Sequence, residues 1–202
     1  MAALITSTSD KHFLHMNVLL RHARGESGDS ERDLETILTE AAVGKRRLWA
    51  SSLLFAELRP SAFVPGRFPT LSEFVRYLRA IAIFVTPDPN AMLRAGRLRD
   101  VKWQRPASLR LPGETPRFLS IVDAIQLSSA LWVKETAGVA NLEFIALDNR
   151  IGDDAESRTS LSPLRLQDYT DDTIDSDGIA AIQLARAEPA LQHEPRQWEP
   201  AG

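Results

Sequence analysis

Residues 118–148 read FLSIVDAIQLSSALWVKETAGVANLEFIALD, and this stretch decides the predicted fold. The first half has the pattern of an apolar helix that carries Asp123 in its first turns. The second half predicts a strand from Leu142 to Leu147, which ends on another acid, Asp148. A carboxylate near the start of a helix and one at the carboxyl end of a strand can supply two oxygen ligands to one metal ion. The stretch therefore predicts an α/β unit with an acidic site.

The composition limits the class of protein. The chain has 202 residues, of which 44% are apolar, and this suits one well-buried α/β domain with a tail. It has no cysteine, which excludes disulfides and thiolate metal sites and fits a reducing cytoplasm. No apolar run approaches the length of a membrane span, and the first ten residues lack the pattern of a signal peptide. We therefore expect a cytoplasmic protein without a membrane partner.

Charge is distributed unevenly along the chain. Residues 1–150 hold 20 Lys and Arg against 16 Asp and Glu, whereas residues 151–202 hold four against 11. A mildly basic body with an acidic tail suits a protein that meets polyanions. An acidic tail that only improves solubility explains the same numbers equally well.

Strands alternate with helices over roughly the first 150 residues, which predicts a three-layer α/β/α domain with a mostly parallel central sheet. The predicted domain covers residues 1–166, and residues 167–202 form an acidic, partly disordered tail with a short helix at 178–187. The predicted strands are His12–Leu20, residues 48–50, 83–85 and 142–147, and a last short strand at Leu164–Leu166. Ligands of such sheets bind outside the carboxyl ends of the strands, which is where Asp148 and the residues near His15 fall.

Four segments occur in an order that is informative together: FLHMNVLL at 13–20, SSLLFAEL at 51–58, VDAIQLSSA at 122–130 and FIALDN at 144–149. In this order they resemble the PIN-domain family, which includes the toxin ribonucleases of bacterial toxin–antitoxin pairs. That family has a strand ending in an acid, a helix with Glu after a Ser-rich cap, a helix with Asp-Ala near its start, and a strand ending in Asp. Each motif alone is weak, but four in sequence are fairly specific. The resemblance covers roughly residues 12–166.

The resemblance implies a three-layer PIN fold and a metal-dependent endoribonuclease. Glu57, Asp123 and Asp148 would be its catalytic residues and would hold Mg²⁺ or Mn²⁺, directly or through water. Asn17 and Ser51 would orient the ligands or the scissile phosphate. The implied partners are RNA, an antitoxin protein whose peptide covers the acidic cleft, and a second copy of the chain.

His15 departs from the family pattern, because it stands where the family has its first metal-binding acid. An imidazole suits Mg²⁺ less well than a carboxylate does, and the loss of a negative charge weakens the binding of hard cations. His15 as a Mn²⁺ or Zn²⁺ ligand is one interpretation, and His15 as a natural or introduced substitution that fills the space is the other. Two functions follow as hypotheses: an active nuclease, or a catalytically inactive PIN-fold module that binds RNA or regulates.

A third hypothesis is another small α/β protein with unrelated acids. In that case Asp123 complements a helix dipole, Glu57 is a solvated helix acid, and Asp148 belongs to an ordinary turn. A structure in which Glu57, Asp123 and Asp148 lie far apart would exclude the first two hypotheses.

Basic residues in the middle of the chain are candidates for binding RNA phosphates, with a solvated surface as the alternative. These residues are Arg94, Arg97, Lys102, Arg105 and Arg110. Trp103 either stacks on a base or sits half-buried at a helix end. The acids of the tail supply a further hypothesis, in which they lie over the basic body and compete with RNA. The acids concerned are Asp168, Asp171, Asp172, Asp175 and Asp177.

Overall fold

A computed structural model describes residues 11–24, 31–147, 160–169 and 174–187. Five parallel strands form one sheet in the order β3-β2-β1-β4-β5. The strands are β1 (His12–Leu14), β2 (Leu48–Ser51), β3 (Ala82–Val85), β4 (Glu143–Ile145) and β5 (Ala185–Ala187). The α-helices are α1 (Met16–Arg24), α2 (Glu31–Ala42), α3 (Leu54–Glu57), α4 (Leu71–Ile81), α5 (Pro89–Asp100), α6 (Ile121–Glu135) and α7 (Ser176–Gln183). The predicted α/β class and its parallel sheet are confirmed.

Side chains that alternate along the strands build two hydrophobic cores, one on each face of the sheet. Phe13 and Phe144 point to the face covered by α5, α6 and α7, and their rings stack with centroids 5.7 Å apart. Their neighbours Leu14 and Ile145 point to the face covered by α1, α2 and α4. This alternation follows from the two-residue period of a strand. The result is a helix–sheet–helix sandwich of three layers.

The first predicted strand, His12–Leu20, is wrong beyond Leu14. Pairing with β2 ends at Phe13 and pairing with β4 at Leu14, and α1 begins at Met16. Val18 and Leu19 face the core together with Ala23, which is one stripe of a helix and not alternate positions of a strand. A short run of apolar residues does not distinguish a buried strand from a buried helix by itself.

The predictions for the C-terminal part need two corrections. Leu164–Leu166 is not a strand, because it belongs to a 3₁₀ helix at Pro163–Asp168. The helix predicted at 178–187 ends at Gln183 and is followed by β5, which pairs with β4. The side chain of Arg186 donates hydrogen bonds to the carbonyl oxygens of Ala181, Ile182 and Leu184, so it satisfies the end of that helix. The sheet therefore extends past residue 166, into the segment predicted as a tail.

Strand order places a ligand crevice at a defined point of the sheet. The chain passes from β1 to β2 and β3 on one side and to β4 and β5 on the other. Open parallel sheets bind ligands outside the carboxyl ends of their strands, where the order reverses in this way. Here that point lies between the ends of β1 and β4. In the described part of the chain no helix is long and apolar enough to cross a membrane.

Candidate functional site

Five of the predicted site residues lie on elements that meet at this edge of the sheet. His15 and Asn17 follow β1, Ser51 is the last residue of β2, Glu57 ends α3, and Asp123 is in the first turn of α6. Asp148 lies outside the described residues, but Leu147, which precedes it, is described and buried.

His15 is hydrogen-bonded to the predicted metal ligand Asp123. Its Nε2 lies 2.9 Å from Oδ1 of Asp123, and the His15 side chain is 8% exposed. Its Nδ1 accepts a hydrogen bond from the backbone N–H of Asn17 at 3.2 Å. Because Nδ1 accepts, the neutral ring must carry its proton on Nε2, and it donates that proton to the carboxylate. The imidazole of His15 is thus bound directly to the carboxylate of Asp123.

Ser120 holds the other oxygen of Asp123. It is the N-cap of α6: its Oγ accepts from the backbone N–H of Asp123 at 3.0 Å and donates to Oδ2 at 2.6 Å. Asp123 therefore stands between Ser120 and His15. A nucleophilic serine would need the histidine in the middle, next to its hydroxyl, so this arrangement does not have the geometry of a Ser-His-Asp hydrolase.

Asn17 connects the end of β1 to the segment after β4. Its side-chain amide donates to the carbonyl oxygen of Leu147 at 2.8 Å and accepts from the N–H of the same residue at 3.2 Å. Both hydrogen bonds go to one backbone unit, so Asn17 fixes the position of the residue that precedes Asp148. The role that the family resemblance implies for Asn17, to orient the ligands or the scissile phosphate, stays a prediction.

Glu57 is hydrogen-bonded to Gln126, a residue that the sequence analysis did not identify as part of the site. The Nε2 of Gln126 donates to Oε1 of Glu57 at 2.8 Å, and its Oε1 accepts from the backbone N–H of Met16 at 3.2 Å. Gln126 follows Asp123 by one turn of α6, on the same side of the helix. This spacing from Asp123 was the only feature of the sequence that pointed to Gln126. A glutamine in an apolar helix gives no indication of which residue it will bind.

The acids of the site influence one another electrostatically. Burial raises the pKa of Glu57 from its ordinary 4.5 to about 7, and the charge of Asp123 acts in the same direction. The hydrogen bond from Gln126 opposes this shift, and a protonated His15 would oppose it further. A carboxyl group with a raised pKa beside another acid is typical of functional sites, and a cation would favour its ionised form.

Ser51 is buried and faces local partners. Its Oγ accepts from the backbone N–H of Leu53 at 3.3 Å and lies 3.3 Å from Oγ of Ser129 on α6. These contacts fasten the end of β2 to α3 and α6. They position the helix that carries Glu57.

Among the side chains of this site, only the carboxylates are suitable ligands for a hard divalent cation. Glu57 and Asp123 offer the oxygen ligands that Mg²⁺ and Mn²⁺ prefer. His15 does not fit as a ligand in this geometry, because both of its nitrogens are engaged with Asn17 and Asp123. Within the residues that the structure describes, no group of three or more His, Asp and Glu side chains is arranged to hold a metal ion.

Three of the predicted RNA-binding arginines, Arg94, Arg97 and Arg105, are paired with acids. Arg94 and Arg97 bind the two oxygens of Asp177 on α7, at 3.1 and 2.5 Å, and Arg94 also reaches Glu135 at 2.8 Å. Arg105 lies 3.3 Å from Glu114 within its own loop. Lys102 is exposed. The acidic segment thus does contact the basic body, through Asp177.

The prediction that Trp103 stacks on a base is wrong, and so is the half-buried alternative. Its ring is fully buried, and its Nε1 donates to the carbonyl oxygen of Leu98 at 3.2 Å. Its backbone pairs with Arg117 and closes the loop that leads to α6. Trp103 therefore anchors the loop before the site.

The fold and the site define a three-layer α/β/α protein with a carboxylate–histidine–amide cluster at the crevice of a parallel sheet. Comparison with known proteins adds no relative: no protein-family model, no curated protein and no solved structure matches the chain.

Proposed function

We propose that this chain is a PIN-type endoribonuclease that binds Mg²⁺ or Mn²⁺ and hydrolyses phosphodiester bonds of RNA. The observation that supports this most is the approach of Glu57 and Asp123 from separate helices to the crevice between β1 and β4. Asn17 fixes the backbone next to Asp148, the third proposed ligand, at the same edge. Unrelated surface acids would have no reason to share this position.

The residues of the site have separate tasks in this proposal. A bound divalent cation would make a water molecule nucleophilic and stabilise the charge that develops on the phosphate. Glu57 and Asp123 would hold the cation, and Ser120 and His15 orient the carboxylate of Asp123. Burial excludes bulk water from His15 and so strengthens its hydrogen bond.

One observation favours a second candidate function, a PIN-fold module that binds RNA or regulates without cleaving it. His15 donates to Asp123 where the family supplies another carboxylate, so the site has lost a negative charge and one oxygen of Asp123 is shared. Fewer carboxylates weaken the binding of Mg²⁺. The two candidates differ in whether the remaining acids still bind the ion.

RNA cleavage in the presence of Mn²⁺ or Mg²⁺ tests the proposal. We expect Asp123→Asn to abolish cleavage. Glu143→Gln is the matched control, because Glu143 lies at the start of β4 and pairs with Lys11 and His12, away from the crevice. Equal cleavage by both variants would mean that the activity does not arise from this site. RNA binding without cleavage and without metal binding would favour the second candidate.

The remaining parts of the proposal concern partners. We propose that the protein acts in the cytoplasm, that an antitoxin peptide covers the acidic crevice, and that the chain forms a homodimer. Copurification of a small protein whose removal releases RNA cleavage would support the antitoxin, and cleavage that is unaffected by any copurifying protein would count against it.

A further inference from the structure

Gln126 is the side chain that connects the acidic crevice to the buried part of the protein. It is 1% exposed, and each end of its amide has a partner: Met16 N–H for the oxygen and Glu57 Oε1 for the nitrogen. A backbone N–H can only donate, so the amide oxygen must face Met16. The amide nitrogen must then face Glu57, and the orientation of the side chain is fixed by the backbone.

This arrangement also determines which part of Glu57 meets a ligand. The amide of Gln126 occupies Oε1, and no hydrogen-bond donor among the described residues contacts Oε2. One carboxylate oxygen is therefore held while the other is left for a cation. The same amide joins the first residue of α1 to the last residue of α3, so it sets the position of Glu57 relative to His15.

We propose that Gln126 is a positioning residue of the acidic site, which orients the carboxylate of Glu57 toward a divalent cation. The inference rests on the proposed function, because it assigns a task within that same site. A buried amide is costly unless both of its ends are hydrogen-bonded. Here one of its two bonds goes to a carboxylate of the crevice, and partners of this kind around metal ligands commonly control affinity.

Calorimetric titration of the full chain with Mn²⁺ tests directly whether Gln126 orients Glu57 for metal binding. We expect Gln126→Met, which keeps the volume and removes both hydrogen bonds, to weaken Mn²⁺ binding by roughly 10- to 100-fold. Ser128→Ala is the matched control, because Ser128 is equally buried on α6 but donates to the carbonyl oxygen of Ala91. The control should leave the affinity for Mn²⁺ unchanged. Wild-type affinity in Gln126→Met would overturn the proposal.

Exchanging the side chains of Glu57 and Gln126 distinguishes a positioning role of Gln126 from a role in packing alone. Gln126→Glu alone should lower the urea midpoint of the metal-free protein at pH 8, because two carboxylates then face each other. The double variant Glu57→Gln/Gln126→Glu should restore the midpoint. In it the amide at position 57 donates to the carboxylate at position 126, which still accepts from Met16. Binding of Mn²⁺ should stay weak, because the charge has moved to a buried position.

The two parts of the experiment can fail separately. If the wild-type chain binds no Mn²⁺, the proposed metal function is wrong. In that case, urea unfolding of the double variant without metal still tests the role of Gln126. If the double variant has the wild-type urea midpoint, the pairing of Gln126 with Glu57 is supported. If its midpoint is as low as that of Gln126→Glu, the pairing is overturned.

Discussion

The substitution His15→Asp tests whether the crevice is a metal site that has lost one acid. It removes the hydrogen bond to Asp123, which has a length of 2.9 Å, and adds a carboxylate beside an existing one. A hydrogen bond to a charged group contributes about 1.5–3 kcal/mol. Two like charges about 4 Å apart repel by about 4 kcal/mol at an effective dielectric constant of 20. Because protonation relieves part of the repulsion, we expect a loss of about 3–5 kcal/mol without metal at pH 8.

A divalent cation should reverse most of that loss. A ligand at 100 times its dissociation constant stabilises the folded state by about 2.7 kcal/mol. Urea unfolding of His15→Asp with and without Mn²⁺ measures this directly. His15→Asn is the control, since it removes the imidazole without adding charge. It should lose less stability and respond less to Mn²⁺.

RNA cleavage should change in parallel with metal binding. We expect His15→Asp to cleave RNA faster than the wild-type chain and to depend more steeply on the metal concentration. The reasoning would be refuted if His15→Asp were as stable as His15→Asn without metal and did not respond to Mn²⁺. In that case the side chain at position 15 does not face a shared acidic site.

Three further predictions concern stability and its relation to the site. Ser120→Ala should destabilise the protein by about 1 kcal/mol in urea unfolding and reduce RNA cleavage. Thr70→Ala removes the corresponding cap of α4 and should reduce only stability. Burial, with a smaller contribution from a nearby arginine, lowers the pKa of His22 to about 4. The unfolded chain therefore takes up the proton first as the pH falls below 6.5, and up to about 3 kcal/mol should be lost by pH 4. His22→Phe should flatten this dependence in urea unfolding between pH 7 and 4, and an unchanged slope would contradict it. Asp177→Asn should cost about 1–3 kcal/mol by thermal or urea unfolding, because it removes the carboxylate that pairs with both Arg94 and Arg97 and leaves Arg94 with Glu135. Asp168→Asn, in an exposed pair, should cost less than about 0.5 kcal/mol. If Asp177 also competes with RNA, Asp177→Asn should bind RNA more tightly at low salt.

The sequence predicted the layers of this protein better than it predicted the ends of its elements. The alternation of apolar runs and turn residues was enough for the parallel sheet, because most residues of the three central strands β1, β2 and β4 are buried. The start of α1 at Met16 was missed, because the apolar residues between Leu14 and Leu19 are compatible with a strand as well as with a helix. The strand at Ala185–Ala187 was missed for a different reason. A three-residue strand in an acidic segment has no periodicity, and only its pairing with β4 defines it.

The candidate site shows the same limit at the level of side chains. The order of the motifs was sufficient to place Glu57 and Asp123 at one crevice, where burial raises the pKa of Glu57. Their hydrogen-bond partners could not be predicted, because the contact between Gln126 and Glu57 joins residues that are far apart in sequence. The basic residues were judged from composition alone. Whether Arg94 and Arg97 are free to bind RNA depends on Asp177. Asp177 contacts them because α7 packs on α5, which composition does not reveal.

His15 has a physical consequence for the acids of the site that extends beyond the question of whether it binds a metal. The half-buried carboxylates of Glu57 and Asp123 repel one another, and a cation is the usual means of stabilising such a pair. A histidine that donates from Nε2 supplies part of that stabilisation itself, through its hydrogen bond to Asp123. The folded protein then depends less on a bound metal, and the same contact makes the site a weaker binder of one. Stability without metal and affinity for metal should therefore change in opposite directions when position 15 is varied, which a protein with unrelated acids would not show.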